Sequence, residues 1–433
     1  MQNHPSPREG ARQLLSDLVQ ARAVTDELFG IVRPEALYGR PIAERHRIVF
    51  YIGHLEAFDW NLLRSSSNLR SFDADLDKLF AFGIDPVDGG LPSDQPSDWP
   101  AIEQVRRYAA RVRQELDSLL RDAPEILLNT AIEHRLMHAE TLAYMLHQLP
   151  LEKKIGQPQV DVPAREQPRP ESIEIPEGAV TPGLSRHSSD FGWDNEYDAH
   201  TVNVPAFAIE RYKITNGQYL EFVRAGGYQD RSLWTPADWE WRSADDVSHP
   251  AFWKQARGSW HLQTMFEEVP LPLSWPVYVS QAEASAYARW AGKRLPTEAE
   301  WQRASYGSPD RAERSFPWGD QMPSPGHGYF DFERWDPAPV DAFPQGRSAF
   351  GLDGLLANGW EWTSTPFGPF EGFKPFPFYE GYSANFFDGK HFVMKGGSPR
   401  TDRSMLRRSF RNWFQPHYPY VYAGFRCASN GQK

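Results

Sequence analysis

The sequence predicts an α plus α+β chain: an N-terminal four-helix bundle, a linker, and a mixed domain with much ordered loop. Three observations carry this. Apolar residues recur at helical spacing through the first 150 positions, residues 151–172 are rich in proline and charge, and short β-like runs follow among many Gly, Pro and aromatic residues. At 433 residues the chain is also too long for one ordinary core.

Four helical patterns make up the bundle. Residues 8–30 carry Leu14, Leu15, Leu18, Val19 and Leu28 near one face. Residues 43–64 hold the apolar run RIVFYIGHLEAFDWNLL. Residues 98–121 place Ile102, Val105, Tyr108, Val112 and Leu116 on one stripe, and residues 125–149 form the fourth pattern, ending before Pro150. Bundles build metal sites from side chains on facing helices, so histidine positions matter. The segment 151–172 has the composition of a linker. From 173 to 433 the texture is α+β, with strand-like runs at 172–175 and 201–204 and helical patterns at 216–225 and 281–292.

Composition excludes several classes. Net charge is −11 with no long basic block, which argues against nucleic acid or an anionic membrane as partner. No apolar run reaches the length of a membrane span. The segment MQNHPSPREGARQLL has no apolar signal core, and with the single Cys427 it fits a reducing cytoplasm. One cysteine permits no internal disulfide and no cysteine-rich zinc site. Aromatic content is 14% with 16 Trp, which points to an aromatic-lined pocket.

His134 and His138 lie four apart on IEHRLMHAETLAYML, one turn apart on one helix face. Two half-buried polar side chains would share this spacing, so the pair alone is a weak metal signal. His54, inside the apolar second pattern, supplies a third candidate. Three imidazoles suit Zn, Fe, Cu or Ni, and three protein ligands leave open positions for substrate. Glu140 is placed either as an outer hydrogen-bond partner or as a solvated carboxylate, and His147 falls on the opposite face.

The phrases YKITNGQYLEF (212–222), AYARWAGKRLPTEAEWQRA (286–304), FPWGD (316–320), GLDGLLANGWEWT (351–363), KGGS (395–398) and RNWFQPHYPYVYAGFRCA (411–428) closely resemble the formylglycine-generating-enzyme domain, a C-type-lectin-like fold. The first 150 residues resemble a DinB-type four-helix bundle. The fused order resembles the EgtB-type sulfoxide synthases of ergothioneine biosynthesis, over nearly the whole chain. True formylglycine-generating enzymes need a cysteine pair that this chain lacks, so that activity is not expected, and Cys427 reads as a core residue.

The resemblance implies an Fe(II) cofactor on His54, His134 and His138, with O₂ and a thiol as co-substrates of hercynine (Nα-trimethylhistidine). It implies oxidative C–S bond formation, with Tyr379 of the stretch Phe378–Ser383 as proton donor and Tyr382 as the second site tyrosine. Asn412 and Trp413 match a betaine-binding pair, which makes sense because an indole face attracts a trimethylammonium group. Two departures bear on the donor: Phe414 stands where an Asp accompanies γ-glutamylcysteine use, and the 82–97 loop has no arginine. A cysteine-type thiol fits better than a dipeptide with two carboxylates. Met137 stands where some relatives keep a Gln against the imidazole. The alternatives are a selenoneine synthase taking a selenosugar, a zinc thiol-S-transferase of the DinB type, and a non-catalytic lectin-like binding protein.

Overall fold

The computed structural model describes residues 7–64, 69–82, 91–118, 120, 123–156, 166–256 and 258–431, with residues 7–11 as helical backbone only. The chain forms two compact units, 1–158 and 159–433. Among the described residues no helix is long and apolar enough to cross a membrane.

Among the described residues the first unit has five α-helices: α1 (Pro7–Gly30), α2 (Ile48–Arg64), α3 (Ala74–Phe82), α4 (Ile102–Asp117) and α5 (Glu125–His147). α1 packs on α5, and α2 packs on α3, α4 and α5. Their patterns explain these places. α4 buries only Val105, Tyr108, Val112 and Leu116, one stripe of an otherwise polar helix. α2 buries residues on all sides, from Ile48 to Leu63, so it lies centrally. The short α3 adds to the four expected helices. Asp77 ties it down by accepting from Trp60 Nε1 (3.0 Å) on α2 and the Tyr108 hydroxyl (2.8 Å) on α4.

One charge network sets the register of α2 against α5. Arg135 is fully buried and donates to Asp59 (2.6 Å), Glu56 (3.0 Å) and the Leu55 carbonyl (3.0 Å). Arg113 of α4 extends the network to Glu56 (2.7 Å) and to Asp26 of α1 (2.7 Å). The linker expected over 151–172 is pinned at its start. Ile155 N–H bonds the Ile31 carbonyl (2.7 Å) and Arg33 N–H bonds that of Lys153 (3.0 Å). Its middle, 157–165, lies outside the described residues.

The second unit carries β1 (Ser172–Ile175), β2 (Gly178–Val180), β3 (Val202–Val204), β4 (Phe207–Glu210), β5 (Trp253–Ala256), β6 (Ser259–Gln263), β7 (Glu268–Pro270), β8 (Trp360–Pro366), β9 (Phe392–Lys395), β10 (Asn412–Phe414), β11 (Ala423–Gly424) and β12 (Ala428–Asn430). Sheets run β1-β4-β12, β10-β9-β8-β11, β2-β3 and β5-β6-β7; β11 pairs with β8 in parallel and the other pairs of these strands are antiparallel. Helices α6 (Asn216–Arg224), α7 (Pro236–Ala244), α8 (Gln281–Trp290) and α9 (Glu298–Tyr306) lie among them. Capping boxes start α6 (Thr215 with Gln218), α8 (Ser280 with Glu283) and α9 (Thr297 with Glu300). Cys427 is buried, as a core residue should be.

A buried ionic knot holds this unit together. Glu361 on β8 accepts from Lys213 Nζ (2.8 Å), Arg426 Nε (2.9 Å) and Trp301 Nε1 (2.9 Å). The two cations hold its carboxyl below the usual range despite burial. Glu361→Ala leaves two buried cations without their anion. The expected cost is about 3–5 kcal/mol, read by urea unfolding of the variant. A loss under about 1 kcal/mol would show that the cations find other acceptors.

Candidate metal centre and aromatic site

α2 and α5 run antiparallel, so residues pair at a constant sum along their seam. Phe58 stacks on His134 (centroids 3.4 Å, 10°), and His54 meets His138 (centroids 5.0 Å). His134 and His138, one turn apart on α5, have ring centroids 4.5 Å apart. One ring nitrogen from each of His54, His134 and His138 lies within 4.8 Å of the other two.

His54 Nε2 and His138 Nε2 are 3.3 Å apart. Two nitrogens bound to one metal at about 2.1 Å sit about 3.0–3.4 Å apart, so the spacing fits a shared ion. His54 Nδ1 donates to the Phe80 carbonyl (2.7 Å), which leaves Nε2 as the lone-pair nitrogen. Burial pushes the His54 imidazolium down to about 4. Burial, then the neighbouring imidazoles, push His134 well below the ordinary range, and burial, then His54, does the same for His138. All three rings are therefore neutral at pH 7, the state a metal ligand requires. Three nitrogen donors and no thiolate fit a catalytic divalent ion of the Zn, Fe, Cu or Ni group.

Met137 is half-buried one residue before His138, and Glu140 is buried two residues after it. Farther along the seam, the Tyr51 ring lies 5.8 Å from His138, and Arg45 donates to the Tyr144 hydroxyl (2.8 Å). Sequence reasoning did not single out these last three residues. Part of the 82–97 loop, residues 83–90, lies outside the described residues.

The second unit gathers Tyr379, Tyr382 and Trp413 into one aromatic cluster. β10 pairs with β9 at Asn412↔Met394, Trp413↔Val393 and Phe414↔Phe392. Phe367 stacks on Trp413 (4.1 Å, 6°), and Tyr382 (5.4 Å) and Phe386 (5.7 Å) meet it at an angle. Tyr382 in turn stacks on Trp193 (3.9 Å), and Tyr379 lies 5.5 Å from Tyr382 and 6.4 Å from Trp193. Ser383 pins the tyrosine stretch: its hydroxyl donates to Asp194 and accepts from Asn195 Nδ2 (3.0 Å). Burial, then the Asp194 charge, push the Tyr379 phenol up to about 12, so it keeps its proton at neutral pH.

Asn412 Oδ1 accepts from Trp413 N–H (2.9 Å), which leaves its amide N–H₂ as the donor end. Arg411 anchors the start of β10 through Glu298 (2.9 and 3.1 Å) and the Gly368 carbonyl (3.0 Å). Phe414 stacks on Tyr418 (5.2 Å, 9°). Trp193, Phe367 and Phe386 were missed from the sequence. Only the high tryptophan count hinted at such a cluster.

Comparison with known proteins gives matching families for both units. The Sulfatase-modifying factor enzyme 1-like domain matches residues 158–431, and the DinB superfamily matches residues 17–148. The hercynine oxygenase of Mycolicibacterium thermoresistibile is 37% identical over 336 residues, covering 75% of this chain and 74% of that protein. The hercynine oxygenase of Mycolicibacterium smegmatis is 37% identical over 354 residues, covering 78% and 79%. Ergothioneine biosynthesis protein 1 of Neurospora crassa is 30% identical, covering 90% of this chain and 55% of its own.

Proposed function

The chain belongs to the hercynine oxygenase family, a DinB superfamily region joined to a sulfatase-modifying factor enzyme 1-like domain, and on that premise we propose that it is an iron(II)- and O₂-dependent sulfoxide synthase of ergothioneine biosynthesis. Its substrates are hercynine and a small thiol of the cysteine type. The reaction joins the imidazole C2 to sulfur: hercynine, thiol and O₂ give the sulfoxide and water. The C–H and S–H bonds break, the C–S and S–O bonds form, and O₂ takes up the four electrons. The observation that carries the reading is the convergence of three neutral imidazoles, one with its tautomer set by a backbone carbonyl.

His54, His134 and His138 would hold the iron. Bound there, iron(II) supplies open positions for thiolate and O₂ and a path for electrons between them. The protein supplies the rest. The rings around Trp413 offer an electron-rich wall to the trimethylammonium group. The Asn412 N–H₂ donates to the carboxylate or imidazole edge of the betaine. Tyr379 keeps its proton until the oxygen that leaves as water takes it. Phe414 offers no charge partner to a second carboxylate, which favours the smaller donor.

The reading is tested by mixing the iron-loaded protein without air with hercynine and a panel of donors, admitting O₂, and identifying the product by mass spectrometry. A sulfoxide with cysteine is expected. Bound zinc with no O₂ uptake would sink it.

Trp413→Ala separates the betaine from its unmethylated parent. Losing a partly desolvated cation–π partner should weaken hercynine binding by about 1–2 kcal/mol, roughly 5–30-fold. Histidine, whose ammonium can be hydrated, should lose less. Calorimetric titration of both ligands checks this, and equal losses would show that Trp413 does not face the ammonium.

A further inference from the structure

We propose that Gly53 and Phe80 are positioning residues of the metal centre: the glycine lets α3 lie close enough for the Phe80 carbonyl to take the His54 Nδ1 proton. The inference rests on the reading of His54, His134 and His138 as metal ligands.

The bond itself fixes proton placement. A carbonyl oxygen only accepts, so at 2.7 Å from Phe80 the His54 Nδ1 carries the hydrogen. The lone pair is then on Nε2, the nitrogen 3.3 Å from His138 Nε2. The other tautomer would turn an N–H toward His138 and lose the bond to Phe80. Phe80 lies in the last turn of α3, where carbonyls have no partner within the helix. The acceptor is therefore a helix-end carbonyl used by a ring on a neighbouring helix.

Gly53 makes this approach possible. A Cβ at position 53 would lie 2.4 Å from Cγ and Cδ1 of Phe80, far inside contact distance. The Phe80 ring is fully buried between Trp99 (6.5 Å) and Tyr108 (5.7 Å), and Cγ sits next to the backbone, so the clash would not be relieved at a flexible tip. Asp77 fixes the rest of α3 through Trp60 and Tyr108. With a side chain at 53, α3 must move away from α2 and take the carbonyl with it. Glycine is otherwise a poor choice in the middle of a helix such as α2.

The test uses cobalt(II), whose visible absorption reports binding without turnover. Gly53→Ala should lower cobalt affinity about 10–100-fold, the usual effect of losing an outer-shell partner. Phe80→Ala keeps the carbonyl and removes the ring. It should melt at a lower temperature yet bind cobalt within about threefold of wild type, well under that range. The double variant Gly53→Ala/Phe80→Ala should regain affinity while staying less stable. Affinity that simply follows melting temperature across the three variants would overturn the proposal, because that is what a packing role alone produces. Nitrogen-15 NMR of histidine-labelled wild type, with His54 assigned by His54→Gln, decides the point even if Gly53→Ala does not fold. Protonated Nδ1 supports the proposal, and protonated Nε2 overturns it. A wild type that takes up no cobalt at all would refute the metal reading, while the NMR result would still decide the tautomer.

Discussion

His134→Ala and His138→Ala should each abolish turnover and strip most of the metal from an otherwise folded protein. Two imidazoles leave one coordination position to water, and the loss should exceed the roughly 10–100-fold that follows removal of an outer-shell partner. The bundle does not depend on these rings. α5 keeps Leu136, Leu142, Met145 and Leu146 in its core, and Arg135 stays locked to Glu56 and Asp59. Helical content by circular dichroism should therefore match wild type. Metal analysis gives the direct reading and an oxygen electrode the activity. Thermal melting adds an independent one, because a ligand of the folded state at 100 times its Kd stabilises by about 2.7 kcal/mol. Wild type should gain that on adding metal, and neither variant should. If either one holds a full equivalent of iron and turns over, the triad is misassigned.

The long helices were legible because periodicity survives without neighbours. α2, α4 and α5 fall within the segments 43–64, 98–121 and 125–149 that the apolar spacing marks, and α1 matches the segment 8–30 to within one residue. α3 was not legible: ADLDKLFAF has nine residues and two turns, too short for a period to stand out. That omission mattered, because α3 supplies the carbonyl that sets His54. A backbone acceptor leaves no side-chain signature, so spacing alone gave no sign of it, and Glu140 was left open between an outer partner and a solvated carboxylate. In the second unit α7 and α9 were overlooked although their starts were written plainly. Thr235 precedes Pro236 in α7, and Thr297 and Glu300 form the capping box of α9. The aromatic cluster could not be assembled from spacing at all. Trp193, Phe367, Phe386 and Trp413 come from segments up to 220 residues apart, and only the fold brings them within stacking distance.

Tyr379→Phe should change what the protein makes more than whether it reacts. The substitution removes one hydroxyl and keeps the ring that meets Trp193 and Tyr382, so iron and both substrates should still bind. In the proposed reaction, two outcomes compete for the same O₂. With a proton delivered in time, sulfur bonds to the imidazole C2 and one oxygen leaves as water. Without it, thiol and O₂ combine alone to give the sulfinic acid, a reaction that balances without hercynine. A positioned acid contributes about 10²–10⁴-fold, so sulfinate should replace sulfoxide as the main product while O₂ uptake continues. Tyr382→Phe is the control. Its ring is stacked on Trp193 at 3.9 Å and edge-on to Trp413, contacts a phenylalanine keeps, so a positioning role predicts a mostly unchanged product ratio. Quantifying both products by mass spectrometry at matched O₂ consumption separates the two tyrosines. Should Tyr379→Phe keep the wild-type ratio and Tyr382→Phe invert it, the proton comes from the tyrosine stacked on Trp193, and the phenol beside Asp194 only lines the site.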